Sequence, residues 1–322
     1  MHAGEARLKG DDLLAEHADA SGSDRSCPGD VSDDRAHEVT LSGSVGPALS
    51  DTAALYDRIA PSYRRWWAPV IEPAALRLLD LVAAVVADHP GAVIVDVGAG
   101  TGTLARAAVA RWPEARAIAV DPSTGMLDVG QTEAAQTLGQ SARRRLSWMT
   151  GVAERLPIAD GSADVVVSSF TLQYLRSRVA ALREAHRIMR PDGAIAVVSW
   201  MANDWPFAPW RLLSALLDEL HLERPPSAET GLFRSLPSAA ALVRRAGFRD
   251  VHAADGTVEY QWTLDAVVHC ALESGDRELV DSLDAETRSR LERLWRERLG
   301  CLTDADFRYR DLVAYVTGRR PA

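Results

Sequence analysis

The feature that most constrains this chain is a run of β-branched residues that leads directly into a glycine-rich turn. Residues 92–97 read Ala-Val-Ile-Val-Asp-Val, and the next five residues read Gly-Ala-Gly-Thr-Gly. A short apolar run of this kind is typical of a strand buried on both faces of a parallel sheet. Glycines after it let the backbone turn sharply and let a ligand approach closely. The segment therefore predicts a first strand, a ligand-binding turn and a helix.

The segments after this turn alternate between helix and strand patterns. A helix predicted at 102–111 is followed by a strand at 117–120, and a further helix begins at Ser123. Short connections between such elements indicate a doubly wound, mostly parallel α/β sheet, which binds ligands at the carboxyl ends of its strands. We predict seven strands. The remaining ones are expected at 146–149, 164–169, 194–200, near Val251 and at 312–317, with a helix at 178–189.

The chain divides by composition into a polar tail and a folded region. Residues 1–48 are rich in acidic and small polar residues, which predicts disorder because such a segment buries too little apolar surface to offset its chain entropy. Residues 49–90 are predicted to form helices that contribute to a lid over the substrate pocket. A sheet domain is expected over 91–322, and two insertions, at about 203–235 and 262–300, are predicted to cover a substrate pocket.

Charge and cysteine usage narrow the classes of partner. The formal net charge is -9, and the tight basic cluster at 143–145 is interpreted as a solvated turn. Because a phosphate backbone would be repelled, we expect no nucleic-acid partner. No run of about 18 apolar residues is present, and the three scattered cysteines are typical of a reducing compartment. We therefore expect a cytoplasmic protein without a membrane partner, and a homodimer stays an open alternative.

An acidic residue at the end of the second strand, Asp121, strengthens the interpretation of the glycine turn. A carboxylate in this position can accept hydrogen bonds from both hydroxyls of a ribose. An Asp before Pro122 could instead start a helix. Oxidoreductases that bind dinucleotides share the ribose contact, but their fingerprint is Gly-x-Gly-x-x-Gly, and counting from Gly98 the third glycine here arrives one residue early. A nicotinamide-dependent oxidoreductase is therefore the weaker alternative.

Motifs along residues 54–200 follow an order that resembles one enzyme family. The chain resembles the class I S-adenosylmethionine-dependent methyltransferases, and within them the type 11 branch similar to the ubiquinone and menaquinone methyltransferases. The resemblance implies a Rossmann-like fold, S-adenosylmethionine as cofactor and a small-molecule methyl acceptor. The segments that carry it are 56–60, 96–102, 120–123, 126–127, 154–157, 162–166, 172–174 and 190–193.

The resemblance also implies roles for individual residues. The glycines of the turn would wrap the methionine part of the cofactor, Asp121 would hold its ribose, and Met126 would lie against its adenine. Phe170 and Gln173, with two tyrosines of the leading helices, would face the reacting end. Many relatives place an Asp where this chain has Val152. The predicted cofactor contacts are Tyr56, Tyr63, Gly98, Ala99, Gly100, Gly102, Asp121, Pro122, Met126, Ala153, Glu154, Phe170 and Gln173.

Methyl transfer from a sulfonium requires the acceptor to lie in line with the methyl group, about 3 Å away, in a site without water. A dedicated base is optional, and the sequence assigns no catalytic residue. His221 and His269 are candidate bases, although each is more typical of a surface or packing position. No His, Cys or carboxylate grouping has the spacing of a metal site, so we expect a metal-free reaction.

The identity of the acceptor stays open at this stage. The first insertion is rich in aromatic residues, which favours either a flat or apolar acceptor, such as a secondary metabolite, or ordinary packing of the insertion onto the sheet. A protein that binds the cofactor without methylating is a further alternative, because a fold does not determine its chemistry. The aromatic residues are Trp200, Trp205, Phe207 and Trp210.

Overall fold

The computed structural model describes residues 49–203, 207–224 and 233–322. The predictions of a disordered tail at 1–48 and of an aromatic contact at Trp205 lie outside the described residues. Within the described part, seven strands form one sheet. They are β1 Val93–Val97, β2 Arg116–Asp121, β3 Leu146–Thr150, β4 Ala163–Ser169, β5 Met189–Trp200, β6 Arg249–Gln261 and β7 Arg308–Arg319.

The strand order is β3-β2-β1-β4-β5-β7-β6. Strands β1 to β5 pair in parallel, and β7 runs antiparallel to both of its neighbours, β5 and β6. This arrangement confirms the predicted seven-stranded, mostly parallel and doubly wound sheet.

Helices cover both faces of the sheet, and none of those described is long and apolar enough to cross a membrane. Two stretches of π-helix, Tyr63–Trp67 and Ala271–Gly275, interrupt the α-helical segments. The described α-helices are α1 Leu49–Ser62, α2 Ala68–Leu81, α3 Ala83–Asp88, α4 Thr103–Arg111, α5 Thr124–Thr137, α6 Gln140–Arg144, α7 Arg178–Ile188, α8 Ala208–Glu219, α9 Leu236–Arg245, α10 Leu264–Cys270, α11 Arg277–Ser282 and α12 Ala285–Leu299.

The packing of strand β1 explains why its sequence is continuously apolar and does not alternate between apolar and polar residues. Successive side chains of a strand point to opposite faces of the sheet. Ile94 packs in the core layer that contains Leu104 of α4, whereas Val95 packs in the layer that contains Val243 of α9. Both β1 residues are fully buried, because each face of the sheet is covered by helices.

The strand expected near Val251 is present, but it is not short, because β6 runs for 13 residues. Asp255 and Gly256, a pair typical of a turn, lie inside it. A Cβ on Gly256 would lie 2.7 Å from the ring of Tyr315 in β7. The glycine therefore lets a buried tyrosine ring pack across the hairpin, and the strand continues through a sequence that resembles a turn.

The basic cluster at 143–145 is only in part the predicted solvated turn. Arg143 and Arg144 are exposed and end helix α6, whereas Arg145, in the turn before β3, is half-buried. The Arg145 guanidinium donates hydrogen bonds of 2.7–2.9 Å to three backbone carbonyls near the end of α4, so the cluster joins two elements. The three carbonyls belong to Val109, Trp112 and Ala115.

The two helical insertions pack on each other through α8 and α12. Trp295 of α12 is fully buried, stacks on Trp210 with ring centroids 6.2 Å apart, and donates from Nε1 to the carbonyl of Pro209 at 3.2 Å. Phe207 and Trp200 are also buried. The aromatic residues of the first insertion that the structure describes therefore pack the insertion onto the sheet.

Replacement of Trp295→Ala is expected to lower the free energy of unfolding by about 3–5 kcal/mol, because it leaves a large buried cavity. Urea denaturation followed by circular dichroism measures the change. Leu81→Ala is the matched control, since Leu81 is 41% exposed, and its effect should stay within about 0.5 kcal/mol. Equal losses in the two variants would contradict this account of how the insertions are held.

Candidate active site

Asp121 ends strand β2 at the floor of a cleft and joins three elements. Its Oδ2 accepts a hydrogen bond from the amide of Gly100 at 2.8 Å, and its Oδ1 accepts one from the amide of Ser123 at 2.9 Å. Burial raises the pKa of Asp121 to about 6, although both amide bonds oppose the rise. Because each carboxylate oxygen has two lone pairs, Asp121 keeps acceptor capacity for a ligand.

The glycines of the turn after β1 serve different purposes. Gly100 and Gly102 have φ of 54° and 72°, in the left-handed region that glycine adopts without strain. A Cβ on Gly100 would meet no atom within 4 Å, whereas a Cβ on Gly102 would lie 2.4 Å from the ring of Trp148. Gly100 therefore leaves the cleft open, and Gly102 lets Trp148 pack beneath the turn.

A second buried acid, Asp96, lies within β1. Its Oδ2 accepts from the amide of Ala105 in α4 at 3.2 Å, and its Oδ1 has no hydrogen-bond partner. Burial, with a smaller contribution from the charge of Asp121, raises the pKa of Asp96 to about 7. Asp96 therefore connects the strand to the helix after the glycine turn and is absent from the residues that line the cleft.

Helix α1 and the π-helix after it contribute another wall of the cleft. Tyr56 contacts Tyr63 and Tyr174 edge to face, with ring centroids 5.8 and 5.7 Å apart. Burial, followed by Tyr56 and Asp121, raises the pKa of Tyr63, so its hydroxyl stays protonated and can donate a hydrogen bond. This wall therefore presents aromatic rings and a neutral hydroxyl.

Phe170 forms the wall beyond β4 in an unusual conformation. Its φ is 51°, a left-handed value that is a genuine outlier for a bulky residue and is concentrated at functional sites. The amide of Phe170 donates to the carbonyl of Val198 at 2.9 Å, and its ring lies 4.5 Å from that of Trp200. These contacts hold the ring against the cleft.

A buried carboxylate oxygen without a partner lies on the side of the cleft formed after β3. Glu154 lines the cleft beside Val152 and Ala153, and its Oε2 is buried with no hydrogen-bond partner. A buried acceptor left unpaired is costly, so this oxygen can accept a hydrogen bond from a bound ligand or a water molecule. Met126, at the start of α5, also lines the cleft.

The cleft encloses about 740 Å³, including the part open to solvent, which is in the range of small-molecule sites. Ten of the thirteen predicted cofactor contacts line it. The other eight lining residues were not predicted as contacts. Most of them are small, polar or aliphatic residue types that carry no chemical signal, and the exception is Tyr174, an aromatic residue beside the predicted Gln173. The lining residues are Thr52, Ala53, Tyr56, Tyr63, Gly98, Gly100, Asp121, Pro122, Ser123, Met126, Val152, Ala153, Glu154, Ser169, Phe170, Thr171, Tyr174 and Leu175.

Three predicted contacts are not among the residues that line the cleft. Ala99 and Gly102 belong to the glycine turn but are not among the lining residues. Gln173 is buried, and its Oε1 accepts a hydrogen bond from the hydroxyl of Ser199 at 2.8 Å. Its position one turn past Phe170 therefore directs it into the protein, which sequence spacing alone does not reveal.

Neither candidate histidine lines the cleft. His269 stacks on Trp66 with centroids 5.3 Å apart, and its Nδ1 lies 2.8 Å from Oε1 of Glu273. His221 lies in the turn after α8 with φ of 52°. Within the described residues, no group of three or more His, Cys, Asp or Glu side chains could hold a metal ion.

Comparison with known proteins identifies the domain that carries this cleft. Residues 95–197 match the family described as Methyltransferase domain. The domain belongs to the class I S-adenosylmethionine-dependent methyltransferases. It falls in the type 11 branch, as the motifs predicted, and the cofactor of this methyltransferase domain is S-adenosylmethionine.

Two curated relatives show how far the similarity extends. A malonyl-acyl-carrier protein O-methyltransferase of Geobacter sulfurreducens is 36% identical over 169 residues, which cover 52% of this chain and 60% of that protein. The ubiquinone/menaquinone biosynthesis C-methyltransferase UbiE of Rubrivivax gelatinosus is 31% identical over 175 residues, which cover 51% of this chain and 66% of that protein. The chain therefore spans less than two thirds of the length of each relative.

Solved structures confirm the fold of the methyltransferase domain. The YcgJ protein of Bacillus subtilis has a TM-score of 0.50 at 17% sequence identity. The matched region covers 76% of this chain and 99% of the YcgJ chain. The 4+2 cyclase SpnF has a TM-score of 0.53 at 19% sequence identity. The matched region covers 87% of this chain and 100% of the SpnF chain. At these identities the likeness concerns the fold alone.

Two glycine substitutions should separate structure from binding. Gly102→Ala is expected to lower the free energy of unfolding by about 2 kcal/mol or more, because it combines left-handed strain with a clash against Trp148. Gly100→Ala should cost about 1 kcal/mol but weaken S-adenosylhomocysteine binding at least about tenfold, since its methyl group enters the cleft. Urea denaturation and calorimetry measure the two effects.

If Gly102→Ala weakened binding as much as Gly100→Ala while both proteins stayed folded, the division of roles between these glycines would be wrong.

Proposed function

We propose that this chain transfers the methyl group of S-adenosylmethionine to a small-molecule acceptor held in the cleft, a secondary metabolite being the class we favour. The observation that carries the proposal is the Asp121 carboxylate. It bonds to Gly100 of the glycine turn and keeps lone pairs for the hydroxyls of a ribose. The family match of residues 95–197 supports the same chemistry.

The residues of the cleft fit this cofactor. Asp121 would accept from the ribose, Gly100 would leave room for the methionine part, and Met126 would lie against the adenine. The unpaired Oε2 of Glu154 offers an acceptor for an amine at the adenine edge, beside the Val152 that replaces the usual Asp. When bound, the cofactor supplies an electrophilic methyl group on a positively charged sulfur.

The aromatic walls suit the reacting end of the cofactor. The faces of aromatic rings attract cations, so Tyr56, Tyr63 and Phe170 would stabilise a sulfonium and exclude water from it. The raised pKa of Tyr63 makes its hydroxyl a hydrogen-bond donor rather than a base. These residues would therefore orient the acceptor and keep the site dry, which is the main requirement of an in-line displacement.

We also propose that residues 49–90 and the insertions at about 203–235 and 262–300 form the lid of the acceptor side. Thr52, Ala53, Tyr56 and Tyr63 contribute to the cleft from the leading helices, which supports a lid role for them. Among the described lining residues, charged side chains are confined to Asp121 and Glu154, on the cofactor side. Oxygen, nitrogen and carbon acceptors are all compatible with an uncharged, aromatic acceptor side.

The two named relatives act on a malonyl-acyl-carrier protein and in quinone biosynthesis. A protein-bound or quinone-like acceptor therefore belongs in any substrate panel. The competing hypothesis is a protein that binds the cofactor for another reaction, and the fold of SpnF, described as a 4+2 cyclase, illustrates that alternative. A nicotinamide-dependent oxidoreductase is the less favoured second alternative.

Incubation with methyl-labelled S-adenosylmethionine and a panel of phenols, amines, sugars, quinols and acyl thioesters tests the proposal. The expected result is a labelled product with one equivalent of S-adenosylhomocysteine, detected by mass spectrometry. A Gly100→Ala variant should need at least about tenfold more S-adenosylmethionine for half-maximal activity. Tight binding of S-adenosylhomocysteine without turnover of any acceptor would favour the non-methylating alternative, and quenching of nicotinamide fluorescence would favour the oxidoreductase.

Affinity for S-adenosylhomocysteine should depend on pH through Asp121. The ribose hydroxyls donate to the charged carboxylate, so binding favours the deprotonated form and weakens as the pH falls through the pKa of about 6. Between pH 7.5 and pH 5 the affinity should drop about tenfold, measured by calorimetry. In Asp121→Asn the affinity should be lower and nearly constant over this range. A variant that kept the full pH dependence would assign the effect to another group.

A further inference from the structure

Helix α1 forms a wall of the cleft but is weakly anchored in the core. Within residues 52–62 the buried side chains are Ile59 and Ala60, whereas α2 buries seven residues. Detachment of α1 would therefore expose little apolar surface, which is typical of elements that open at low free-energy cost. The polar contacts of α1 consequently have a large share in holding this wall in place.

One of these contacts joins Asp57 of α1 to the start of α5. Its Oδ1 accepts hydrogen bonds from the hydroxyl of Ser123 and from the amide of Gly125, both at 2.7 Å. A Cβ on Gly125 would lie 2.8 Å from the carbonyl oxygen of Asp57, so the two backbones are in direct contact. The carboxylate also complements the positive end of the α5 dipole. Asp57 therefore joins α1 to the N-terminal end of α5.

The hydrogen bonds of Asp57 continue into the cofactor side of the cleft. Ser123 donates its hydroxyl to Asp57 and its amide to Asp121, and Asp121 accepts in turn from Gly100. The Ser123 hydroxyl also caps α5 by accepting from the amide of Met126 at 3.1 Å. Two carboxylates that lie 64 positions apart in the sequence are thus bridged by one serine. A shift of α1 would disturb the residue that positions Asp121.

We infer that Asp57 is a positioning residue that holds α1 closed over the bound cofactor, so that closure of this wall and ribose binding at Asp121 stabilise each other through Ser123. The inference rests on the proposed cofactor site. With α1 closed, Thr52, Ala53 and Tyr56 complete the cleft. Without the Asp57 contact, α1 detaches more often, water enters, and the cofactor dissociates faster.

Calorimetric titration with S-adenosylhomocysteine tests this role in the full chain. Asp57→Ala should lower the affinity about tenfold, the equivalent of one helix-capping contact. Asp57→Asn keeps an acceptor oxygen and should lose no more than about threefold. Asp284→Ala is the matched control, because Asp284 caps α12 through the amide of Thr287 and lies outside the cleft lining. Its affinity should stay within about twofold of the parent.

Hydrogen exchange of residues 52–62 supplies a readout that a purely structural cap would not change. In the parent, S-adenosylhomocysteine should slow exchange in this segment, and in Asp57→Ala this protection should be lost while the rest of the sheet stays protected. Parent-like affinity and protection in Asp57→Ala would overturn the inference, as would an equal loss of affinity in Asp284→Ala. Failure of the parent to bind S-adenosylhomocysteine would overturn the proposed cofactor site together with it.

Discussion

The Asp121 carboxylate is the interaction on which the cleft depends. It lies at the end of a buried strand and is held by one amide from the glycine turn and one from the start of α5. Burial disfavours its charge, and the two amides compensate for part of that cost. The same bonds determine where the turn and α5 lie relative to the strand, so the charged group that would bind a ribose also organises the elements around it.

The two sides of the cleft have different origins. The proposed cofactor side consists of residues within the family match at 95–197, whereas Thr52, Ala53, Tyr56 and Tyr63 precede it. The aromatic residues that the structure describes in the insertions pack against one another, as Trp210 does on Trp295, and against the sheet, as Phe207 does on Tyr309. Similarity to known methyltransferases therefore identifies the cofactor more directly than the acceptor.

The sequence predicted the sheet well because its strands are apolar runs whose burial requires little context. It did not predict the length of β6, since Asp255 and Gly256 resemble a turn, whereas in the structure they pair with β7 and the ring of Tyr315 packs over the glycine. Arg145 was misinterpreted for a similar reason. Its three carbonyl partners lie 30 to 36 positions away in the sequence, and no local pattern indicates them.

The sequence by itself determined the order of strands and helices, the glycine turn and the acid that follows the second strand, because these depend on backbone conformation and on the burial of short segments. Only the tertiary structure decided which side chains meet. In the folded protein the side chain of Gln173 is buried and bonds to Ser199, and the ring of Trp148 packs against Gly102. The carboxylate of Asp57 accepts a hydrogen bond from Ser123. The physical reason is that a side chain's surroundings are set by the packing of elements distant in the sequence, which local periodicity does not encode.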